Sequence, residues 1–275
     1  MKIISNPTLN QNSNQLELKL DSHGYAEIDS GWNATNVRSL YSRLYLVLSG
    51  QGKLRYRGQE FIIAPGTVTL VPAGTIFDFG SPDHLKKLFF PIYLDLPTGY
   101  DLLSKHPGIY QLPIEEETTR EFERLYRQES LPSAFRLKEQ LTAQICRFLE
   151  EFHLCDDSIP AVSPLIADTM RYIQDNLSIQ LNIPQLAERA FISKSKLTKQ
   201  FRQEVGVSIS HYIDDFLFRF AEYQLIYTDQ SLKQISDSLG FCDQFYFSRR
   251  FHARYGEPPL SYRKRQKDAL LFRPT

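Results

Sequence analysis

The chain is poor in the residues that form cross-links and metal sites. Its 275 residues include only three cysteines and six histidines. Cys146, Cys155 and Cys242 are odd in number and widely spaced, so they predict neither a disulfide framework nor a paired metal motif. Free thiols of this kind are typical of a reducing compartment.

Long hydrophobic runs are also missing. No apolar stretch approaches the length of a membrane span, and the N-terminal segment MKIISNPTLNQNSNQ lacks the apolar core of a signal peptide. The sequence therefore predicts a soluble, cytoplasmic protein with no membrane partner.

The chain as a whole has no excess of positive or negative charge, but each of its halves does. The formal net charge is zero. Residues 1–160 nevertheless carry four more acidic than basic side chains, and residues 161–275 carry four more basic than acidic ones. The length suffices for two domains, and a mildly basic second half is a modest indication of a polyanionic partner.

Two segments, residues 193–212 and 243–262, resemble each other at a spacing of fifty residues. Each has a candidate helix cap, an apolar residue four positions later, and then Phe, Gly and Tyr. In order, these are Ser193, Leu197, Phe201, Gly206 and Tyr212 in the first segment and Asp243, Phe247, Phe251, Gly256 and Tyr262 in the second. Two copies are too few for a solenoid, whereas two small helical units suit a reader of successive sites on DNA.

The first copy, residues 183–205, has the pattern of a helix-turn-helix. Asn182 is placed to cap a short helix, with Gln185 placed for a capping box, and Ser193 is placed to cap a second helix after a tight turn. The second helix of such a motif lies in the major groove of DNA. Its outward residues, the candidate DNA contacts, are Lys194, Ser195, Thr198, Lys199 and Arg202.

The second copy, residues 231–255, repeats this pattern with a turn that is one residue longer. Glutamine can pair with adenine and arginine with guanine, each through two hydrogen bonds. The candidate DNA contacts at the exposed start and middle of its second helix are Gln244, Phe245, Tyr246, Arg249 and Arg250. The alternative is a helical bundle whose basic residues are merely solvated, but two copies in register favour DNA binding.

A helix predicted from about Ser208 to Tyr227 joins the two copies. Nineteen helical residues span about 28 Å, close to the roughly 34 Å of one turn of DNA. The sequence thus predicts a spacer that sets two recognition helices in successive major grooves of double-stranded DNA.

The first half predicts a different architecture. Residues 1–110 contain strand-like runs such as LYLVLSGQG and TVTLVPAGT between Gly and Pro turns, which indicate a barrel or sandwich. Residues 111–155 predict two helices, separated by a break at Leu131–Pro132–Ser133. Residues 156–164, with two prolines and two serines, form the predicted linker to a helical domain at 165–275.

The stretch GFCDQFYFSRRFHARYGEPPLSYRK, Gly240–Lys264, is similar to the signature segment of the AraC family of bacterial transcription regulators. The resemblance covers about residues 165–265, and residues 25–108 resemble the cupin-type effector domain of many members. It implies an α+β protein of two domains. The first is a cupin-like β-barrel with a helical dimerisation hairpin, and the second is an all-α double helix-turn-helix.

The resemblance also implies functional residues and partners. Base contacts in the family fall on the positions of Ser195, Thr198, Lys199, Gln244, Phe245, Tyr246 and Arg249. The chain is expected to respond to a small-molecule effector, a sugar or related metabolite, and to form a homodimer, with RNA polymerase as a further candidate partner. Phe191 and Ser236 depart from the family pattern, which favours Gly or a small polar residue at the first position and Ala at the second.

The candidate effector-binding residues are Trp32, which is suited to stack on a sugar, and Arg38, which is suited to meet a hydroxyl or carboxylate. Metal-dependent cupins need a His-x-His pair, a carboxylate and a further His. The histidines of this half are scattered, so we expect no metal, no cofactor and no catalytic residue. A cupin-type enzyme with a helical appendage and a ligand-free dimeric regulator remain the alternative hypotheses.

Overall fold

The computed structural model describes residues 17–20, 24–28, 32–81, 83–155 and 162–270. The chain divides near Ser158 into a β-rich unit and a helical unit, the second of which extends to Asp268. The α+β class expected from the sequence is confirmed. Residues 156–161 of the expected linker lie outside the described residues, and Pro164 already belongs to a helix.

Ten strands in the described part of the β-rich unit form two antiparallel sheets. They are β1 (Glu17–Leu20), β2 (Gly24–Ile28), β3 (Asn33–Val37), β4 (Ser42–Gly50), β5 (Gly52–Tyr56), β6 (Gln59–Ile63), β7 (Thr67–Val71), β8 (Phe77–Gly80), β9 (Leu85–Asp95) and β10 (Tyr110–Pro113). The larger sheet has the order β1-β9-β4-β7-β10, with β2 also paired to β9, and the smaller has the order β3-β8-β5-β6. β10 extends past the expected end of the β region because it pairs with β7.

The two central strands of the larger sheet, β4 and β9, are buried on both faces. Leu44 pairs with Phe90, and both side chains belong to one hydrophobic core. Tyr45 pairs with Phe89 on the opposite face, where a second core forms against the smaller sheet. Side chains alternate between the faces of a strand, so a strand covered on both sides is apolar at most positions.

Two helices, α1 (Glu116–Arg127) and α2 (Leu131–Glu151), cover the first of these faces. The prediction that Leu131–Pro132–Ser133 separates the helices is wrong, because α2 begins at Leu131. Ser130 caps α2 by accepting a hydrogen bond from the Ser133 N–H at 3.3 Å. Proline fits the first turn because the N–H that it lacks has no helical partner there.

The described residues of the helical unit form seven helices. They are α3 (Pro164–Asp175), α4 (Ile183–Arg189), α5 (Lys194–Val205), α6 (Ile209–Tyr227), α7 (Leu232–Ser238), α8 (Gln244–Tyr255) and α9 (Pro259–Leu270). The expected all-helical character of this half is confirmed for the described residues, as is the helix expected from about Ser208 to Tyr227. Across the part of the chain that the structure describes, no helix has both the length and the apolar character needed to cross a membrane.

The pairs α4–α5 and α7–α8 are the two helix-turn-helix units, and their turns share one hydrogen-bond pattern. The Ile192 N–H donates to the Ala187 carbonyl in the first turn, and the Phe241 N–H donates to the Ser236 carbonyl in the second, both at 3.1 Å. The capping box predicted for the first unit is found in the second, between the residues at positions 231 and 234.

Each helix-turn-helix turn contains one residue with positive φ. Comparing the two turns from this residue onward shows where the second copy has its extra residue. Phe191 has a φ of 53° and Gly240 a φ of 73°. Glycine adopts this conformation freely, whereas Phe191 does so against a steric cost and with its side chain 95% exposed. Because Ser193 and Asp243 cap the following helices, the additional residue is Cys242.

Ser236 is a local defect in the core of the second unit. It is fully buried at the position where the first unit has Ala187, which is 4% exposed. Its Oγ has no hydrogen-bond partner among the described residues. A buried hydroxyl that is left unpaired costs about 1–3 kcal/mol.

Ser236→Ala should therefore raise the free energy of unfolding of the helical unit by about 1 kcal/mol, because it removes the unpaired hydroxyl and keeps the fit of the turn. Urea unfolding followed by the helical circular dichroism signal measures this. The matched control is Ala187→Ser, which buries the same hydroxyl in the first unit and should destabilise it. A less stable Ser236→Ala protein would contradict the assignment.

Candidate nucleic-acid interface and effector site

Helix α5, the first recognition helix, is anchored on one side and exposed on another. Ser193 caps it, and the Gln200 and Glu204 side chains bind the Ser163 hydroxyl at 3.1 and 3.0 Å. The apolar residues of the repeat are fully buried beneath it. Of the outward residues expected from the sequence, Lys194, Ser195, Lys199 and Arg202 are exposed and Thr198 is half-buried.

Helix α8, the second recognition helix, begins at a firmly bonded cap. The Oδ1 atom of Asp243 accepts hydrogen bonds from the N–H groups of Phe245 and Tyr246, both at 2.7 Å. These bonds, with that of Tyr246 the stronger cause, hold the pKa of Asp243 below its usual range. The ionised carboxylate offsets the partial positive charge at the start of the helix.

Four predicted contact residues lie at the start and middle of α8. Phe245 is 68% exposed, and Arg249 is exposed with its guanidinium 5.9 Å from the Tyr246 ring. Gln244 and Tyr246 are half-buried, and the Tyr246 ring packs 5.8 Å from that of Phe241. Arg249 thus projects from a helical turn that aromatic packing stiffens.

Arg250 departs from the expectation that it lies on the exposed side. Its side chain is 29% exposed, donates to the Asp214 carboxylate of α6 at 2.5 Å and lies 5.4 Å from the Phe218 ring. One turn later, Arg254 pairs with Asp215 at 2.6 Å. Residues four apart share a face of a helix, so both arginines face α6, and Arg250 fastens α8 to the connecting helix.

The connecting helix α6 has the predicted bounds, and its 19 residues span about 28 Å. Its Glu222 is fully buried and accepts hydrogen bonds from the hydroxyls of Tyr262 and, at 3.0 Å, Tyr255. A buried carboxylate with two donors is a satisfied structural group. Beside α6, the side chains of Lys194 and Arg250 line a cleft of about 370 Å³.

Trp32, a candidate effector-binding residue, lies inside the core between the two sheets. It is 3% exposed, the Phe79 ring stacks on it with centroids 4.4 Å apart, and the Lys87 ammonium lies 3.3 Å from its centroid. Stacking on a sugar therefore requires one of these neighbours to move. Arg38 is half-buried between β3 and β4, and its role in effector binding stays a prediction.

Two protein-family models match the chain, one in the β-rich unit and one in the helical unit. A model of the AraC-like ligand binding domain matches residues 35–151, and a model of a helix-turn-helix domain matches residues 186–265. The chain belongs to the AraC family of transcription regulators. In this AraC-family chain the first match includes the helix pair α1–α2, and the second includes both recognition helices.

Similar proteins include regulators named after operons. The arabinose operon regulatory protein of Escherichia coli (strain K12) is 25% identical over 233 residues, which cover 80% of this chain and 79% of that protein. The Msm operon regulatory protein of Streptococcus mutans is 22% identical over 275 residues, which cover 91% and 94%. The solved structure of ToxT from Vibrio cholerae is 14% identical, covers 91% of this chain and 98% of that chain, and has a TM-score of 0.48.

Several residues with a possible role were not found from the sequence. Lys196 is exposed on α5, and Ser248 lies half-buried on α8 one turn after Gln244, a spacing that could have identified it. Lys87 lies between the two sheets, and Arg43 is half-buried on the same face. Strand alternation was the available signal, because it puts Lys87 on the face of Leu85 and Phe89.

Proposed function

We propose that this AraC-family regulator binds double-stranded DNA by placing α5 and α8 in two successive major grooves, and that a sugar or related metabolite in the β-rich unit controls this binding. The observation that carries the proposal is the pair of recognition helices, each with an exposed polar or basic face, joined by one helix of about 28 Å. That length approaches the roughly 34 Å between equivalent grooves.

The two recognition helices differ in the DNA contacts that their side chains suit. On α8, Gln244 and Arg249 have the side chains that read adenine and guanine, and the exposed Phe245 is suited to a thymine methyl group. On α5, the side chains of Ser195 and Thr198 are short, whereas Lys199 and Arg202 are exposed cations that suit phosphates. We therefore assign most base discrimination to α8 and most backbone contact to α5.

Arg249→Ala should weaken operator binding by about 1–3 kcal/mol and relax the preference at one base pair, because a guanine then loses its two-bond partner. The measurement is selection of bound duplexes from a random library by the parent and the variant, followed by gel shifts on the selected site. An unchanged affinity and base preference would remove Arg249 from the interface.

The neighbouring arginine provides the matched control. Arg250→Ala removes the same charge one residue away, but this side chain is bonded to Asp214. It should lower the thermal stability of the helical unit and weaken binding to all duplexes alike. A base-specific loss in this variant would show that Arg250 reads DNA.

Lys199→Ala should lower affinity for all DNA sequences to a similar extent, since a phosphate contact carries no sequence information. The slope of log affinity against log salt concentration should fall by about 1. Arg120→Ala, which removes an exposed cation from α1 of the other unit, is the control and should leave the slope unchanged. A loss confined to one sequence would contradict the phosphate assignment.

The effector class and the remaining partners belong to the same proposal. One relative is named for the arabinose operon, which supports a sugar or related metabolite as the effector. The named relatives are regulators and not enzymes, and we assign no catalytic residue. Contact with RNA polymerase and a cytoplasmic location stay predictions that follow from the regulatory role.

We also propose that the chain forms a homodimer through the helix pair. Leu131 and Phe135 of α2 are 72% and 67% exposed, and their four-residue spacing puts them on one side of the helix. Two large apolar side chains that are adjacent and exposed suit the centre of a protein interface.

Phe135→Asp should therefore shift the chain from dimer to monomer at micromolar concentration, because it places a charge in an apolar contact. Sedimentation equilibrium measures the shift. Ile76→Asp is the matched control, since Ile76 is 57% exposed in the same unit but lies outside α2. If Phe135→Asp sediments like the parent, the interface lies elsewhere.

A further inference from the structure

A basic group lies on the inner face of the larger sheet, the face that packs against the smaller sheet. Lys87 of β9 pairs with Val47 of β4 and with Ala26 of β2, and both partners belong to the core between the sheets. Residues opposite each other in an antiparallel pair point to the same face. Lys87 therefore points into this core, where it is 3% exposed.

Lys87, Arg43 and Tyr45 form what we call the inner cluster. Tyr45 lies between the two cations: the Lys87 Nζ atom is 4.5 Å from its ring centroid, and the Arg43 Nη1 atom donates to its hydroxyl at 3.1 Å. Arg43 is oriented by Ser39, whose Oγ accepts from Nε at 2.8 Å. Burial, the main cause, raises the pKa of Tyr45, so its hydroxyl keeps the proton that it can donate.

The charge on Lys87 is costly in this position. Its side chain has no hydrogen bond or ion pair with any residue in the described part of the chain, and its ammonium lies against the rings of Trp32 and Tyr45. Burial, and secondly repulsion from Arg43, hold the pKa of Lys87 well below its usual range. Buried charges in proteins are normally paired, and a strongly perturbed lysine inside a binding domain is a candidate functional group.

Two residues of the inner face lie closer to solvent than the rest of the inner cluster. Arg43 and Phe89 lie on the same inner face but are only half-buried, unlike Tyr45 and Lys87. Along β4, Arg43 is followed by Tyr45 two residues later, and Lys87 lies opposite Val47, two residues further on. A guanidinium, a hydroxyl and an ammonium therefore follow one another along the inner face, beginning at the half-buried Arg43.

We propose that the effector of this regulator is anionic, and that the inner cluster binds its carboxylate or phosphate group between Lys87, Arg43 and Tyr45. The inference rests on the proposed function, because it assigns a chemical class to the effector of that same barrel. An anion offsets the burial cost of Lys87 and its repulsion from Arg43 together. Sugar acids and sugar phosphates combine this group with the sugar class proposed above.

Fluorescence of Trp32 tests this directly, because it is the only tryptophan in the chain and contacts Lys87. The full-length protein is titrated with glucuronate, glucose 6-phosphate, acetate, inorganic phosphate and neutral glucose. At least one anion should change the Trp32 emission and bind at least about tenfold more tightly than glucose. Carboxylates and phosphates form separate arms, so the result identifies the preferred group. If no anion binds more tightly than glucose, the proposal is overturned.

Lys87→Met tests the residue itself, because it keeps the length of the side chain and removes the charge. The anion preference over glucose should fall at least about tenfold. Lys86→Met is the matched control, since Lys86 points to the opposite face and pairs with Glu27 at 3.3 Å. Its anion binding should match that of the parent. Full anion binding by Lys87→Met would show that Lys87 is a structural amine held by its two rings.

Gel shifts on the same preparations separate this inference from the proposed function. Lys86→Met should bind the selected DNA site as the parent does in the absence of anion, because it leaves the inner cluster intact. Parent protein that binds DNA but discriminates no anion from glucose overturns the inner cluster and leaves the regulator intact. Parent protein that binds anions tightly but no DNA sequence overturns the proposed function instead.

Discussion

The helical unit depends on the burial of one element, the connecting helix α6. Tyr212 of this helix packs 5.3 Å from Phe201 of α5, and Phe218 packs 6.4 Å from Phe251 of α8. Because one continuous helix carries both contacts, the distance between the recognition helices is set by helical rise and not by a loop. The aspartates of α6 then fix the rotation of α8 through its inward arginines. Sequence-specific binding at two grooves requires both constraints, since each recognition helix must meet its groove in register.

The two copies meet these constraints by different means, which explains their unequal chemistry. The second turn uses Gly240 where the first uses Phe191, and the second unit inserts Cys242 before the cap at Asp243. That cap bonds two backbone N–H groups, whereas Ser193 bonds one. The start of α8 is therefore the better fixed of the two, and it is also where the larger side chains that we propose to read bases lie. Pre-organised side chains discriminate between bases at lower entropic cost than mobile ones.

Most of the helical unit could be predicted from the sequence, because each of its helices has a local start signal and an apolar period. Two of the failures, Arg250 and Lys87, have non-local causes, and the third, Pro132, has a local one. Arg250 follows Arg249 directly in the sequence, and it is held inward by residues of α6 that are distant in sequence, such as Asp214, 36 residues away. Lys87 follows Lys86 at the polar start of β9; alternation separates the two lysines, but only the pairing with Val47 shows which of the two faces lies between the sheets. Pro132 indicates a break between helices unless Ser130 is recognised as the cap of the helix that follows. Sequence patterns identify elements, whereas pairing between distant elements decides which side chains become sites.

The doubly buried strands β4 and β9 also suggest how an effector acts. Their inner faces carry the inner cluster, and their outer faces carry Leu44 and Phe90, which pack with Phe122 of α1. A close-packed strand cannot shift one face without moving the other, because its side chains alternate from a single backbone. An anion that draws the two cations together therefore acts on the same strands that support the helix pair. If the helix pair is the dimer surface and the inner cluster binds the effector, as proposed, the two sites would be coupled through two strands without a long-range pathway.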